Sequence, residues 1–169
     1  YDSCRLISVN LKSFVENQFE SNATFNFEKF ETVAKRAMRL SDDLVELEIE
    51  KLTGILGACD TQDEKELWTN LLRACTDGRR TGLGTHGLAD ALACLGMPYD
   101  SAEGLVMIDK IYNSLKESAY TESVWLARER GSFPVFDWSL EKDNAFIKSL
   151  SPSLQNAIKT FGRRNISIL

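Results

Sequence analysis

The stretch Gly78-Arg-Arg-Thr-Gly-Leu-Gly-Thr-His-Gly-Leu-Ala-Asp-Ala-Leu-Ala-Cys-Leu-Gly96 organises the chain, because it holds five of the ten glycines and the single histidine. Gly82, Gly84 and Gly87 fit the G-x-G-x-x-G pattern, in which glycines let a dinucleotide's pyrophosphate approach backbone N–H groups at a helix start. That pattern requires a buried strand before its first glycine. The residues that precede Gly82 are polar and basic. We therefore favour a glycine-rich turn into a packed helix over a nucleotide-binding Rossmann domain.

Length and composition favour one globular domain. The chain has 169 residues, of which 43% are hydrophobic and 27% charged. A formal net charge of −5 gives no reason to expect a nucleic-acid or membrane-surface partner, although the pairs Arg79-Arg80 and Arg163-Arg164 are candidate phosphate contacts. The sequence has neither an apolar run long enough to span a membrane nor a signal peptide, and it predicts a soluble, cytoplasmic protein.

Four cysteines, Cys4, Cys59, Cys75 and Cys94, are too far apart in sequence for a C-x-x-C or similar zinc pattern, so we predict no metal site. The last three lie in or near amphipathic helical stretches, where a cysteine is usually a small buried hydrophobic residue. Cys4 differs because it lies in a short strand-like run. From position alone, a buried structural role is favoured for Cys4 as well.

The periodicity of apolar residues predicts a mainly helical chain with strands at its ends. The helix predicted at about 27–56 has an apolar face that includes Leu40, Leu44 and Leu47, and Asp100 is the expected cap of another long helix. The predicted elements are a strand at about 4–11, helices at about 27–56, 63–76, 87–95, 101–130, 144–150 and 152–161, and a strand at about 165–169. This order resembles a strand, a large helical crossover and a returning strand cut from a larger α/β sheet or barrel. Both ends look truncated, and residues 1–169 are expected to form a single segment of that domain.

Five segments follow one another in a recognisable order. They are Tyr1-Asp-Ser-Cys4-Arg-Leu6 with Val9-Asn-Leu11, Gly78-Arg-Arg-Thr-Gly-Leu-Gly84, Gly87-Leu-Ala-Asp-Ala-Leu-Ala-Cys-Leu-Gly96 with Tyr99, Ala127-Arg-Glu-Arg-Gly-Ser-Phe133 with Asp137, and Gly162-Arg-Arg-Asn165. Together they resemble the catalytic subunit of ribonucleotide reductase, most closely the adenosylcobalamin (vitamin B12)-dependent class II enzymes. The fold that the resemblance implies is part of a ribonucleotide-reductase-like α/β barrel.

The resemblance also implies a role for Cys4. In the family, the cysteine of the D-S-C-x-L strand belongs to the redox pair that reduces the substrate's 2′-carbon and ends as a disulfide. A thiol suits this role because thiol–disulfide exchange regenerates it. The implied substrate is a ribonucleoside di- or triphosphate, the implied reductant a thioredoxin-like protein or a dithiol, and the implied cofactor adenosylcobalamin, whose contacts the sequence does not indicate.

Other parts of the family pattern lie outside this chain. The cysteine that becomes the thiyl radical, the second redox cysteine and the phosphate-binding loop belong to family segments before and after it, so we expect the 169 residues alone to be inactive without the remaining reductase segments. Thr85-His86 departs from relatives, which often have apolar or small residues there, and a structural role is favoured for His86. The alternative is a non-catalytic helical interaction module, or a split-gene piece, that assembles with partner polypeptides.

Overall fold

The computed structural model describes residues 2–169, and Tyr1, which begins the first of the five matched segments, lies outside them. The strands, in chain order, are β1 (Arg5–Asn10), β2 (Val15–Glu16), β3 (Thr24–Phe25) and β4 (Thr81–His86). The helices are α1 (Phe27–Gly57), α2 (Gln62–Gly78), α3 (Leu88–Cys94), α4 (Ala102–Arg130), α5 (Trp138–Glu141), α6 (Ala145–Lys148) and α7 (Pro152–Phe161), with a 3-10 turn at Leu11–Phe14. The expectation of a mainly helical chain with few short strands is confirmed.

Local sequence signals set the ends of the long helices. Asn26 caps α1 by accepting a hydrogen bond from the Lys29 amide, and Thr61 and Glu64 form a reciprocal capping box at α2. Helix α4 begins at Ser101, whose hydroxyl accepts a hydrogen bond from the Gly104 amide at 3.0 Å. The assignment of Asp100 as this cap was therefore wrong by one residue.

Helix α1 is the central element and packs against α2, α4, β1 and β4. Its buried face differs from the predicted apolar stripe, because Leu40 and Leu47 are 54% and 59% exposed. The buried positions include two polar residues, Ser41 and Asp42. The face was predicted from apolar residues alone, and such a pattern leaves out buried polar residues like these two. The predicted face therefore differs from the surface that packs against the rest of the fold.

Strands β1 and β4 form a two-stranded parallel sheet in which Arg5 pairs with Thr81 and Asn10 with His86. Helices α1 and α2 make the crossover between them, as the strand–helical crossover–strand interpretation required. The returning strand is β4, however, and the prediction of a turn at this position was wrong. Buried and more exposed residues alternate along β4, as in a half-buried strand. The pattern was not recognised in the sequence because glycines stand at two of the more exposed positions.

The segment at 165–169, predicted as the returning strand, is not a regular strand. It runs beside β4, where the Thr81 amide donates to the Ser167 carbonyl at 2.9 Å and the Leu83 amide donates to the Ile168 carbonyl at 2.8 Å. In a regular parallel ladder, successive hydrogen bonds move two residues along both strands. Here they move two residues along β4 but only one along the C-terminal segment. The Arg163 guanidinium also donates hydrogen bonds to the Asn165 and Ile166 carbonyls, which are then less available for pairing with a strand.

The helices near the C-terminus also differ from the prediction. The helix expected at 144–150 is the single turn α6, and α5 lies in a region where no helix was expected. Each begins at a side-chain cap, Asp137 for α5 and Asn144 for α6, which accepts a hydrogen bond from the amide two residues on. Short capped turns of this kind carry too little periodicity for an apolar pattern to reveal them.

A buried carboxylate joins four segments of the fold. Asp42 of α1 is fully buried and accepts hydrogen bonds from Arg79 (2.8 Å), Arg130 (3.1 Å) and the amide of Asn165 (2.9 Å), while Arg164 Nε lies 3.4 Å from its second oxygen. One turn later, Glu46 pairs with Arg79 and Arg164. The ends of α2 and α4 and the C-terminal segment therefore meet at one point on α1.

We expect Asp42→Asn to lower the free energy of unfolding by about 3–5 kcal/mol, because it removes the charge on which three buried or half-buried arginines converge. Asp43→Asn is the matched control. Asp43 is the neighbouring carboxylate and pairs with Arg130 at 2.7 Å, but its side chain is 47% exposed, so we expect a loss of at most about 1 kcal/mol. Urea unfolding of both variants measures the difference, and equal losses would contradict the central role of Asp42.

Candidate functional site

The sheet has one covered face and one open face. Strand alternation places Arg5, Val9, Thr81 and Leu83 on the covered face, and all four are buried. The open face consists of Leu6, Ser8 and Asn10 from β1 and Gly82, Gly84 and His86 from β4, preceded by Cys4. Leu6 is 78% exposed there. Leu6 is the second residue of β1, so the open face carries an exposed apolar side chain close to Cys4.

The Cys4 thiol lies at the start of this open face, directly beside Gly82. A Cβ atom built on Gly82 would lie 3.1 Å from Cys4 Sγ and 2.6 Å from Leu6 Cδ2. No such clash exists at Gly84 on the same face, where nothing within 4 Å would meet a Cβ. The missing side chain at Gly82 is therefore what makes room for the thiol, and Cys4 itself is exposed.

The other three cysteines have different surroundings. Cys94 is buried on α3, and Cys59 is half-buried just after α1 with its thiol donating to the Ile55 carbonyl. Cys75 is buried on α2 and accepts a hydrogen bond from Arg5 at 2.7 Å. Burial raises the pKa of the Cys75 thiol, against the opposing effect of Arg5, and keeps it protonated at neutral pH. Among the four cysteines, Cys4 alone is classed as exposed.

His86 lies at the far end of the open face. Its Nδ1 is 3.0 Å from the Ser8 hydroxyl, and it pairs across the sheet with Asn10. Gly82, the residue beside the Cys4 thiol, lies four positions before His86 on β4, which is about 13 Å at the usual rise per residue. His86 is therefore too far from Cys4 to exchange a proton with its thiol.

The arginine pairs that the sequence offered as phosphate contacts are used within the fold. Arg79 and Arg164 bind Asp42 and Glu46, and Arg163 forms a bidentate pair with Glu141 at 2.7 and 2.8 Å. Arg80 pairs with Asp2 at 2.8 Å. The first three are buried, so the phosphate interpretation was wrong for them. It failed because acidic partners from distant helices are not visible in the local sequence.

The geometry also removes the Rossmann alternative. Gly82 and Gly84 lie within β4 and Gly87 follows it at φ 72°, so the glycines do not form a loop between a strand and a phosphate-binding helix end. Helix α2 ends only two residues before β4. Within residues 2–169 no three His, Cys, Asp or Glu side chains come together as a metal site would require. No helix in that range is long and apolar enough to cross a bilayer.

Comparison with known protein families identifies the family of this chain. A family model described as the ribonucleotide reductase barrel domain matches residues 1–168. The chain belongs to this family. The vitamin B12-dependent ribonucleoside-diphosphate reductase of Mycobacterium tuberculosis is 30% identical over 158 residues, which is 90% of this chain and 20% of that protein. The fold is thus a fragment of the reductase barrel domain, as the resemblance implied.

More distant reductases match the same region. The vitamin B12-dependent ribonucleoside-diphosphate reductase of Thermoplasma acidophilum is 27% identical over 83% of this chain and 16% of its own length. The ribonucleoside-diphosphate reductase large chain of Neurospora crassa is 26% identical over 98% of this chain and 17% of its own length. The chain spans a fifth or less of these curated relatives. Some relatives carry the B12-dependent name and others do not.

Sequence reasoning missed several residues around Cys4. Gly82 was placed in a turn, and the polar residues below Cys4, Arg5 and Glu48, were not singled out. The sequence did contain a signal that Gly82 lies in a strand, because Thr81, Leu83 and Thr85 alternate with glycine. Glu48 lies more than forty residues from Cys4 in sequence, and its contacts with Ser3 and Arg5 depend on how α1 packs beneath β1.

We expect Gly82→Ala to push the Cys4 thiol outward and to raise its rate of reaction with an aromatic disulfide reagent by about threefold, since exchange depends on access to the sulfur. The free energy of unfolding should change by less than about 1 kcal/mol, because the Leu6 side chain is free to turn into solvent. Gly84→Ala is the matched control and should leave the rate unchanged. Mass spectrometry identifies the labelled cysteine. Equal rates for the two variants would contradict the close contact at Gly82.

Proposed function

We propose that this chain supplies one redox cysteine, Cys4, to a ribonucleotide reductase that converts ribonucleotides to deoxyribonucleotides. The observation that carries the proposal is the exposed Cys4 thiol beside Gly82 on the open face of the β1–β4 sheet, in a chain that matches the reductase barrel family. The names of the relatives favour a ribonucleoside diphosphate as the substrate. The second thiol of the pair would come from a segment outside this chain.

In the proposed step, Cys4 and its partner thiol together give up two electrons and two protons. The 2′-carbon of the ribose exchanges its hydroxyl for hydrogen, the hydroxyl leaves as water, and the two sulfurs become a disulfide. A dithiol or a thioredoxin-like protein then reduces that disulfide by exchange, which requires access to a sulfur atom. Cys4 is exposed, which supports access of a reductant to its sulfur. Cys75 and Cys94 are buried, so their sulfurs lack this access.

Adenosylcobalamin is proposed as the radical-generating cofactor of the complete enzyme because B12-dependent relatives match most of this chain. Its chemistry would be to generate the radical. The depression nearest Cys4 is too small to hold it. The depression beside Cys4, lined by Asp2, Ser3, Glu48 and Trp68 among others, has a volume of about 220 Å³, below the roughly 300–1,000 Å³ of pockets for drug-sized ligands.

The exposed Leu6 side chain and the lack of cover on the open face within residues 2–169 support assembly with the remaining reductase segments. Leu6 is 78% exposed, and in a barrel this face would be turned towards the interior. The same exposure would suit a helical interaction module without chemistry. The two functions differ in whether the Cys4 sulfur is needed, which gives the direct test.

We expect Cys4→Ser to abolish dithiol-dependent turnover in the reductase assembled from this chain and the remaining segments, because serine does not form a disulfide. Cys59→Ser, at a half-buried cysteine remote from the open face, is the matched control and should retain activity. The measurement is deoxyribonucleotide formation with a dithiol as the only reductant. Full turnover by Cys4→Ser would refute the redox role and favour the interaction module.

We also expect the 169-residue chain alone to be inactive. Incubation with a ribonucleoside diphosphate or triphosphate, adenosylcobalamin and a dithiol should give no deoxyribonucleotide, because the chain contributes only one of the proposed pair of thiols. Addition of the remaining reductase segments should restore product. Product from the chain alone would overturn the assignment of Cys4 as one half of a pair completed from outside.

A further inference from the structure

Beneath Cys4 lies an ion pair that holds the residues on both sides of it. Glu48 of α1 accepts a hydrogen bond from the Ser3 hydroxyl on one carboxylate oxygen, at 2.8 Å, and from Arg5 Nε on the other, at 2.6 Å. The two oxygens of one carboxylate thus bind the residue before Cys4 and the residue after it. Such a bracket fixes the backbone at the cysteine from both directions.

Arg5 extends this bracket to strand β4. Its Nη1 donates to the Ser3 carbonyl at 2.9 Å and to the Arg80 carbonyl at 3.2 Å. Arg80 lies two residues before Gly82, the residue that Cys4 Sγ contacts. The guanidinium fork therefore connects the backbone that carries the thiol to the backbone that carries the glycine beside it.

The chemistry of the pair suits a positioning role. The Arg5 side chain is 6% exposed and Glu48 is 34% exposed, so the contact is largely protected from solvent. Arginine presents several donors in a rigid planar fork, and charge-assisted bonds of this kind are stronger than neutral ones. The fourth contact, from Arg5 Nη2 to the buried Cys75 sulfur at 2.7 Å, fixes the remaining end of the guanidinium to α2.

We propose that Arg5 and Glu48 are positioning residues that hold the Cys4 thiol against Gly82. The inference rests on the proposed redox function of Cys4. Neither residue would exchange electrons or protons with the substrate. Their contribution would be the fixed geometry of the sulfur, which matters because a displacement of about 1 Å costs up to about 100-fold in rate for a positioned reactive group.

The first test measures thiol exchange in the 169-residue chain. The Cys4 thiolate attacks an aromatic disulfide, a mixed disulfide forms and one aryl thiolate leaves. In Glu48→Gln we expect the rate at Cys4 to rise by about threefold, because the released segment exposes the sulfur. Ser3→Ala, which removes one exposed hydrogen bond and does not threaten folding, should give a smaller rise. Glu50→Gln, an exposed carboxylate on the same helix, is the control and should give none.

Cys94, buried on α3, reports whether a variant loosens the whole fold. A positioning role predicts that Glu48→Gln leaves the exchange rate of Cys94 unchanged. Equal acceleration at Cys94 and Cys4 would mean general loosening and would overturn the proposal. An unchanged rate at Cys4 in both Glu48→Gln and Ser3→Ala would overturn it as well.

The second test uses the assembled reductase. Glu48→Gln should lower kcat by about tenfold with little change in the KM for the ribonucleotide, because the sulfur is misplaced while nucleotide binding is intact. A rise in KM with kcat unchanged would contradict the positioning role. If Cys4→Ser abolishes turnover but Glu48→Gln does not lower it, the positioning role of Glu48 is refuted and the redox function of Cys4 is retained. If Cys4→Ser retains turnover, the redox function itself fails.

Discussion

The carboxylate of Asp42 is the interaction on which the arrangement of this chain depends. It is fully buried on α1 and lies at the junction of the end of α2, the end of α4 and the C-terminal segment. Removal of one member of such a group leaves uncompensated buried charge, which costs far more than a surface ion pair. A docking that separated Asp42 from these partners would leave a buried charge or polar group unpaired, which favours the observed arrangement of the four segments.

This constraint extends directly to the candidate site. Arg79, bound to Asp42, adopts the left-handed conformation that ends α2 and turns the chain into β4 two residues later. Glu48, two turns along the same helix, binds Ser3 and Arg5 at the start of β1. One face of α1 thus sets the starting points of both parallel strands. The contact between Cys4 and Gly82 follows from that shared support and needs no bond between the two residues.

The helices could be predicted from the sequence to a large degree, whereas the sheet and the polar contacts could not. Apolar periodicity and the Thr61 capping box are local signals, and the predicted helix starts at about 27 and 63 agree with α1 and α2 within one residue. Strand β4 was missed because Gly82 and Gly84 stand where an alternating strand usually shows side chains. The partners of Arg79 and Arg164 come from a helix that is distant in sequence, so a local pattern of two basic residues suggested a phosphate site. Cys4 was identified only through resemblance to the reductase family, since position alone favoured a buried structural cysteine.

The two faces of the sheet contribute unequally to stability. A face that must receive a substrate or another polypeptide is not available to be packed by the chain's own core, so its residues add little to folding free energy. Stability must then come from the covered face, and there the chain places Leu83 and Val9 beside the polar anchors Arg5 and Thr81. This division allows Gly82 and Gly84 to lack side chains without leaving cavities in the core.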